Sequence, residues 1–133
     1  DRCLESVIRG AKWLGKVQHR CGGVPDFYPS SFIKRLVTDT TAQAVRIWLI
    51  LYRALGEEKW LMLAERGLTF LSSVMFKRRG WHRALPAYVC ILRPLRRAVP
   101  KVHTWSVMFA IQAFAMHNYL DKLSLSDMIE YLF

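Results

Sequence analysis

Two short segments carry the residues best suited to acid-base chemistry. Asp39 stands in Val37-Thr38-Asp39-Thr40-Thr41-Ala42, where the pattern predicts the start of a helix, and His103 directly precedes Thr104 at the start of another. A carboxyl works as a general acid when its proton is aimed and its conjugate base is stabilised by neighbours. An imidazole exchanges its proton near neutral pH. Both residues also have a plain structural use at a helix start, Asp39 as a cap for the N–H groups of the first turn and His103 as a hydrogen-bonding residue there. Asp26, Tyr28, Trp81, His82 and Trp105 are assigned to the same rim. Carboxylates with stacking aromatics suit a sugar, aromatics alone suit a carbocation or an isoprenoid chain, and core packing is the ordinary use of a tryptophan.

No metal or cofactor is expected. Asp39, Cys90 and His103 supply the ligand types of a zinc site without any local spacing that would gather them. Neither a glycine-rich phosphate loop nor a nucleophile elbow is present. Cys3, Cys21 and Cys90 are odd in number and widely spaced, so they predict reduced thiols and a reducing, cytoplasmic compartment rather than a disulfide framework.

These candidates must be positioned by helices. Leu4, Val7, Ile8, Ala11, Leu14 and Val17 recur at steps of three and four, which predicts an amphipathic helix ending before Cys21-Gly22-Gly23. A second helix follows Thr38-Asp39, two good caps, and runs to Leu55 before Gly56. Its interior, residues 44 to 52, is apolar all round except for Arg46 and must be surrounded by protein. A third opens at Glu57-Glu58, presents Glu65, Arg66, Thr69, Ser72 and Ser73 outward, and ends near Phe76. A fourth, Thr104 to about Leu120, is again apolar on nearly every side, which predicts burial. A short helix after Ser126 closes the list of elements.

Only Gly56 separates the second and third helices, so they make a tight antiparallel hairpin. The long connections, about 20 to 38 and 77 to 103, each lead from an amphipathic helix into a buried one. Up-and-down packing puts both at the same end, where a site would open.

The composition fits one folded all-α domain over residues 1–133, with 53% hydrophobic and 23% charged residues. The chain starts at Asp1, already close to a helix, and so reads as a piece cut or processed from something longer. It has no signal-peptide pattern and no apolar stretch that reaches the ~20 residues of a membrane span. The net charge is +10, and between Lys77 and Lys101 there are eight basic residues and no acid. That stretch, with Pro86, Pro94 and Pro100, predicts a solvated irregular loop. It suits a diphosphate, an anionic glycan or an acidic membrane surface. Nucleic acid is disfavoured, because none of the familiar binding modules is visible.

An internal repeat gives the elements an order. Arg9-Gly10-Ala11-Lys12-Trp13-Leu14 aligns without gaps on Arg66-Gly67-Leu68-Thr69-Phe70-Leu71, at an offset of 57. The two hairpin repeats then span about 4–55 and 57–120. Alternating outer and inner helices make a solenoid or a partial α/α toroid, which calls for more than two hairpins.

The same residues resemble the QW repeat of terpenoid cyclases, in which a basic residue, Gly, an aromatic, an aliphatic, Gln, Gly and Trp recur in order. Arg9, Gly10, Trp13, Leu14, Gln18 and Gly22 match, with Val24 at the Trp position. In the second copy Arg66, Gly67, Phe70, Leu71, Gly80 and Trp81 match, with Met75 at the Gln position. Residues 37 to 42 look like a degraded class II acidic motif, Asp39 on its protonating Asp and Val37 and Thr40 where the other two carboxylates belong. The resemblance implies the toroid shared by terpenoid cyclases and protein prenyltransferases, with this chain a fragment or reduced member. It implies a module that binds or processes an isoprenoid or similar apolar ligand, with Asp39 and His103 as candidate catalytic residues. The alternatives are a glycan-processing toroid enzyme of polysaccharide metabolism and a non-catalytic repeat module that binds an acidic partner.

Overall fold

The apolar stripe of the first amphipathic segment becomes helix α1, Arg2–Val17. The computed structural model describes residues 2–25, 34–75, 88–92, 95–98 and 102–130, the side chains of 34 and 88–98 excepted. The nearly all-apolar segment becomes α2, Thr38–Leu55, and the next amphipathic one α3, Glu58–Val74. Between them Gly56 takes φ 68, and its N–H donates to the Tyr52 carbonyl at 2.8 Å. That left-handed cap is cheap only for glycine, and it turns α3 back along α2. Helices α4, Thr104–Asn118, and α5, Leu125–Glu130, follow.

Helix α2 is the centre, with α1, α3, α4 and α5 all packed against it. Val45, Trp48 and Leu49 of α2 meet Trp60 and Ala64 of α3, Ala113 and Met116 of α4 and Met128 of α5 in one cluster of fully buried side chains. Each large side chain buried in this way contributes about 1.5–3 kcal/mol. The Trp48 indole N–H donates to the Ala11 carbonyl at 3.2 Å, which joins α1 to the core without an unsatisfied polar atom at that ring. A second cluster, Leu36, Ala42, Phe70, Leu71 and Ala110, sits under the strands.

The chain is mostly helical, as the periodicity predicts, and the connections add a small sheet. Strands β1 (Val24–Pro25), β2 (Lys34–Val37), β3 (Tyr88–Leu92) and β4 (Leu95–Ala98) pair antiparallel in that order. Leu36, fully buried, lies opposite Val89, which in turn lies opposite Ala98. The pairing of β2 with β3 brings the two long connections together at one end, as up-and-down packing requires. It also corrects the expectation of an irregular loop over residues 85 to 99. Tyr88-Val89-Cys90-Ile91-Leu92 is rich in β-favouring types, and Pro86, Pro94 and Pro100 flank the strands instead of interrupting them.

One further expectation is sharpened and one corrected. Helix α2 starts at Thr38, the first of its two expected caps. Val37 occupies the capping position without a side-chain hydrogen bond, and Asp39 serves from inside the first turn, its Oδ1 accepting the Thr40 N–H at 2.7 Å. Thr41 Oγ1 donates to the Val37 carbonyl at 2.7 Å and accepts the Val24 N–H at 2.9 Å, tying the helix start to β1. Helix α4 is not surrounded. Ser106, Ala110, Ala113 and Met116 are buried, but Trp105 is 58% exposed and Ile111 64%.

Candidate functional site

Of the residues singled out by type and spacing, Asp39, His103 and Trp105 lie among the described residues, at the starts of α2 and α4. Asp39 is half-buried in the first turn of α2, where Oδ1 accepts the N–H of its neighbour Thr40 at 2.7 Å. His103 is partly exposed just before α4, with extended backbone and no side-chain hydrogen bond to the helix; its carbonyl accepts the Val107 N–H at 3.2 Å. Trp105 lies on the surface with its ring 5.8 Å from that of Phe109. Asp26, Tyr28, Trp81 and His82 lie outside the described residues. Among the described residues no cluster of His, Cys, Asp or Glu could hold a metal ion, and no helix is long and apolar enough to cross a membrane.

The resemblance to the QW repeat lands on residues with a clear mechanical task. Gln18 Nε2 donates to the Gly22 carbonyl at 2.9 Å and to the Leu63 carbonyl at 3.1 Å. Arg66 donates from its guanidinium to the His19 carbonyl at 3.3 Å. Gly22, at φ 97, packs so closely on α3 that a Cβ there would sit 1.9 Å from the Arg66 carbonyl oxygen. At Gly15 a Cβ would meet Leu63 Cδ1 at 2.9 Å. Gly15 and Gln18 lie by Leu63, while Gly22 lies by Arg66 and Phe70, so α1 and its turn advance along α3 in the same direction. The polar atoms of the pattern lock α1 and its turn to α3.

That lock leaves a groove of about 420 Å³ between α1 and α3, lined by Lys12, Gly15 and Lys16 on one side and Lys59, Trp60, Met62, Leu63 and Arg66 on the other. Its floor is apolar, and Met62 is 63% exposed within it. A second groove, of about 380 Å³, shares Met62 and Arg66 and continues over Arg20, Cys21, Glu65 and Thr69. Five cations, Lys12, Lys16, Arg20, Lys59 and Arg66, thus line two adjoining grooves that meet at Met62.

Two acids temper the charge of the grooves. Glu57 pairs with Lys59, whose hydrogen bond holds the Glu57 carboxyl below its ordinary range. The Lys59 ammonium also sits 4.9 Å above the Trp60 ring, a cation–π placement. Glu65 turns toward His117 of α4 at 3.8 Å. Sequence reading missed these grooves because it searched the long connections. The signal was the i, i+4 pair Lys12 and Lys16 on one helix and Lys59 with Arg66 seven residues on in the other.

Arg46 is the one cation inside the core side of α2, 2% exposed. Its guanidinium lies 5.0 Å from the Phe109 ring centroid, and burial lowers its pKa from the ordinary value. It serves the packing of α4 on α2.

No family model, no curated protein and no solved structure matches this chain.

Proposed function

We propose that the chain is a non-catalytic helical-hairpin module that binds an acidic amphipathic segment of a partner protein along the groove between α1 and α3. The observation that carries this reading is the apolar floor of exposed Met62 and half-buried Leu63, over the edge of the core residue Trp60, bordered by Lys12, Lys16, Lys59 and Arg66. A helix that presents leucines to that floor and glutamates to its edges would cover Met62 and meet cations on both sides.

The test is fluorescence anisotropy with a labelled amphipathic peptide of leucine and glutamate. Wild-type protein is expected to bind it with an affinity that falls as salt rises. The double change Lys12→Glu, Lys16→Glu should weaken binding at least tenfold, about 1.4 kcal/mol, with unchanged helical circular dichroism. Equal binding of a leucine and lysine peptide, or no binding at all, would overturn the proposal.

A second reading is an isoprenoid-handling module of terpenoid-cyclase type, supported by the run of β2 straight into the first turn of α2. That arrangement brings Asp39 to the end where both connections meet. Its own measurement is binding of farnesyl diphosphate to wild type and to Asp39→Asn. A ligand lost with that carboxylate, and indifferent to Lys12 and Lys16, would favour this reading over the groove.

A further inference from the structure

The turn that joins α1 to β1 carries a nucleophile and a base in contact. His19 Nδ1 lies 3.0 Å from Cys21 Sγ, and the Cys21 backbone N–H donates to the same Nδ1 at 3.3 Å. A backbone N–H meets only an acceptor, so Nδ1 holds the lone pair of the ring and the thiol proton points at it. A thiol touching the base that can take its proton is what a nucleophilic cysteine needs.

The turn is fixed from several directions. His19 N–H donates to the Gly23 carbonyl at 2.8 Å, and Gly22 N–H donates to the His19 carbonyl at 2.7 Å. The His19 carbonyl also accepts from the Arg66 guanidinium at 3.3 Å, and the Gly22 carbonyl accepts from Gln18 Nε2 at 2.9 Å. Gly22, seated on the Arg66 carbonyl, holds the turn against α3. A pair held in this way needs no rearrangement before it reacts.

The sulfur is within reach of a ligand, and its surroundings are charged. Cys21 is half-buried. It packs against the cluster under the strands and also lines the groove of about 380 Å³, together with Arg20, Met62, Arg66 and Thr69. Glu65, the acid of that groove, turns toward His117. Arg20 and Arg66 present guanidinium groups, the side chains best matched to carboxylates.

We propose that Cys21 is a modification site that forms a mixed disulfide with a low-molecular-weight disulfide bearing carboxylates. His19 Nδ1 takes the thiol proton as the Cys21 sulfur attacks one sulfur of that disulfide. The S–S bond breaks, its other half leaves as a thiolate, and the thiolate takes the proton from the imidazolium. Cys21 is oxidised and the departing half is reduced, so no further oxidant enters. Arg20 and Arg66 hold the carboxylates of the half that stays. This is a stoichiometric modification, and it does not depend on what the α1–α3 groove binds.

The test is incubation of the reduced protein with glutathione disulfide near neutral pH, each cysteine being followed by the mass of its own peptide. Cys21 is expected to react about tenfold faster than Cys3, although Cys3 is the more exposed thiol. His19→Asn, with helical circular dichroism unchanged, should bring Cys21 down to about the rate of Cys3. With uncharged hydroxyethyl disulfide as the second probe, the preference for glutathione disulfide should be greater at Cys21 than at Cys3, and Arg20→Gln should lower it. A Cys21 no faster than Cys3 would overturn the proposal, and that comparison needs no variant. So would a Cys21 that keeps its full rate in His19→Asn, or a preference equal at the two cysteines.

Discussion

Helix α1 and helix α3 differ less in sequence than in company. Arg9-Gly10 and Arg66-Gly67 are the same dipeptide at the same place in the pattern, followed in each by an aromatic and a leucine. In α3 that aromatic, Phe70, is 1% exposed. In α1 it is Trp13, 49% exposed. Helix α3 lies against α2 on one side and reaches α4 on another, with α1 alongside; α1 has α2 and α3 to one side only. A glycine in a helix has no fixed value. Where a neighbour presses on it, it permits the approach. Where none does, it only costs helix propensity.

The largest effect expected to separate the two helices is at the aromatics. Phe70→Ala should cost about 3–5 kcal/mol in urea unfolding, since it leaves a hole under Leu36 and beside Leu71. Trp13→Ala should cost about 1 kcal/mol or less, because half of that ring is already in water. Equal losses would mean that α1 is as enclosed as α3.

A change of sign follows at the glycines. Gly67→Ala should destabilise by about 1–3 kcal/mol, because its methyl meets Val45 and neither helix can move away freely. Gly10→Ala should stabilise by about 0.5–1 kcal/mol, since the space is open and alanine is the better helix former. Midpoints of chemical unfolding for the pair decide the matter, and the same sign at both positions would break the comparison.

The smallest effect concerns helix starts. In α2 the cap residue Val37 makes no side-chain bond and Asp39 Oδ1 accepts the Thr40 N–H within the first turn, whereas α5 begins with a reciprocal cap: Ser124 N–H and Oγ both donate to Asp127 Oδ2, at 2.8 and 2.6 Å, and Asp127 N–H donates to Ser124 Oγ at 3.2 Å. The Ser124 hydroxyl, and next its N–H, lower the Asp127 pKa. A depressed carboxylate pKa contributes stability that is full above the unfolded value, near 3.9, and is lost as pH falls through the folded one. Protection of the α5 amides, relative to unstructured amides at the same pH, should therefore fall below about pH 4. Asp127→Asn should remove that pH dependence.

The helices were legible because their signals are local. Steps of three and four marked α1 and α3, Gly56 marked the turn between α2 and α3, and each helix lies within a few residues of its expected span. The sheet was harder to read. Lys34–Val37 and Tyr88–Leu92 are far apart in sequence, and neither announces its partner. Basic residues and prolines around them masked short β-favouring runs. The anchor of the α2 start was hidden for a related reason: Thr41 reaches across to β1, and that contact is invisible in the sequence.

The candidate site was the least legible. The search followed acid and base types at helix starts, whereas the groove is made by cations and apolar side chains from two helices about 45 residues apart in the chain, joined through Gln18 and Leu63.

By itself, then, the sequence determined the helical bulk, the α2–α3 hairpin, the repeated Arg-Gly pattern and the surplus of positive charge, all of which depend on spacing or composition within a short window. Tertiary structure alone decided which copy of the pattern is covered, where the cations converge and which side of α4 stays in contact with water. An all-round apolar helix has no sequence signal for its open face; only the positions of its neighbours select one.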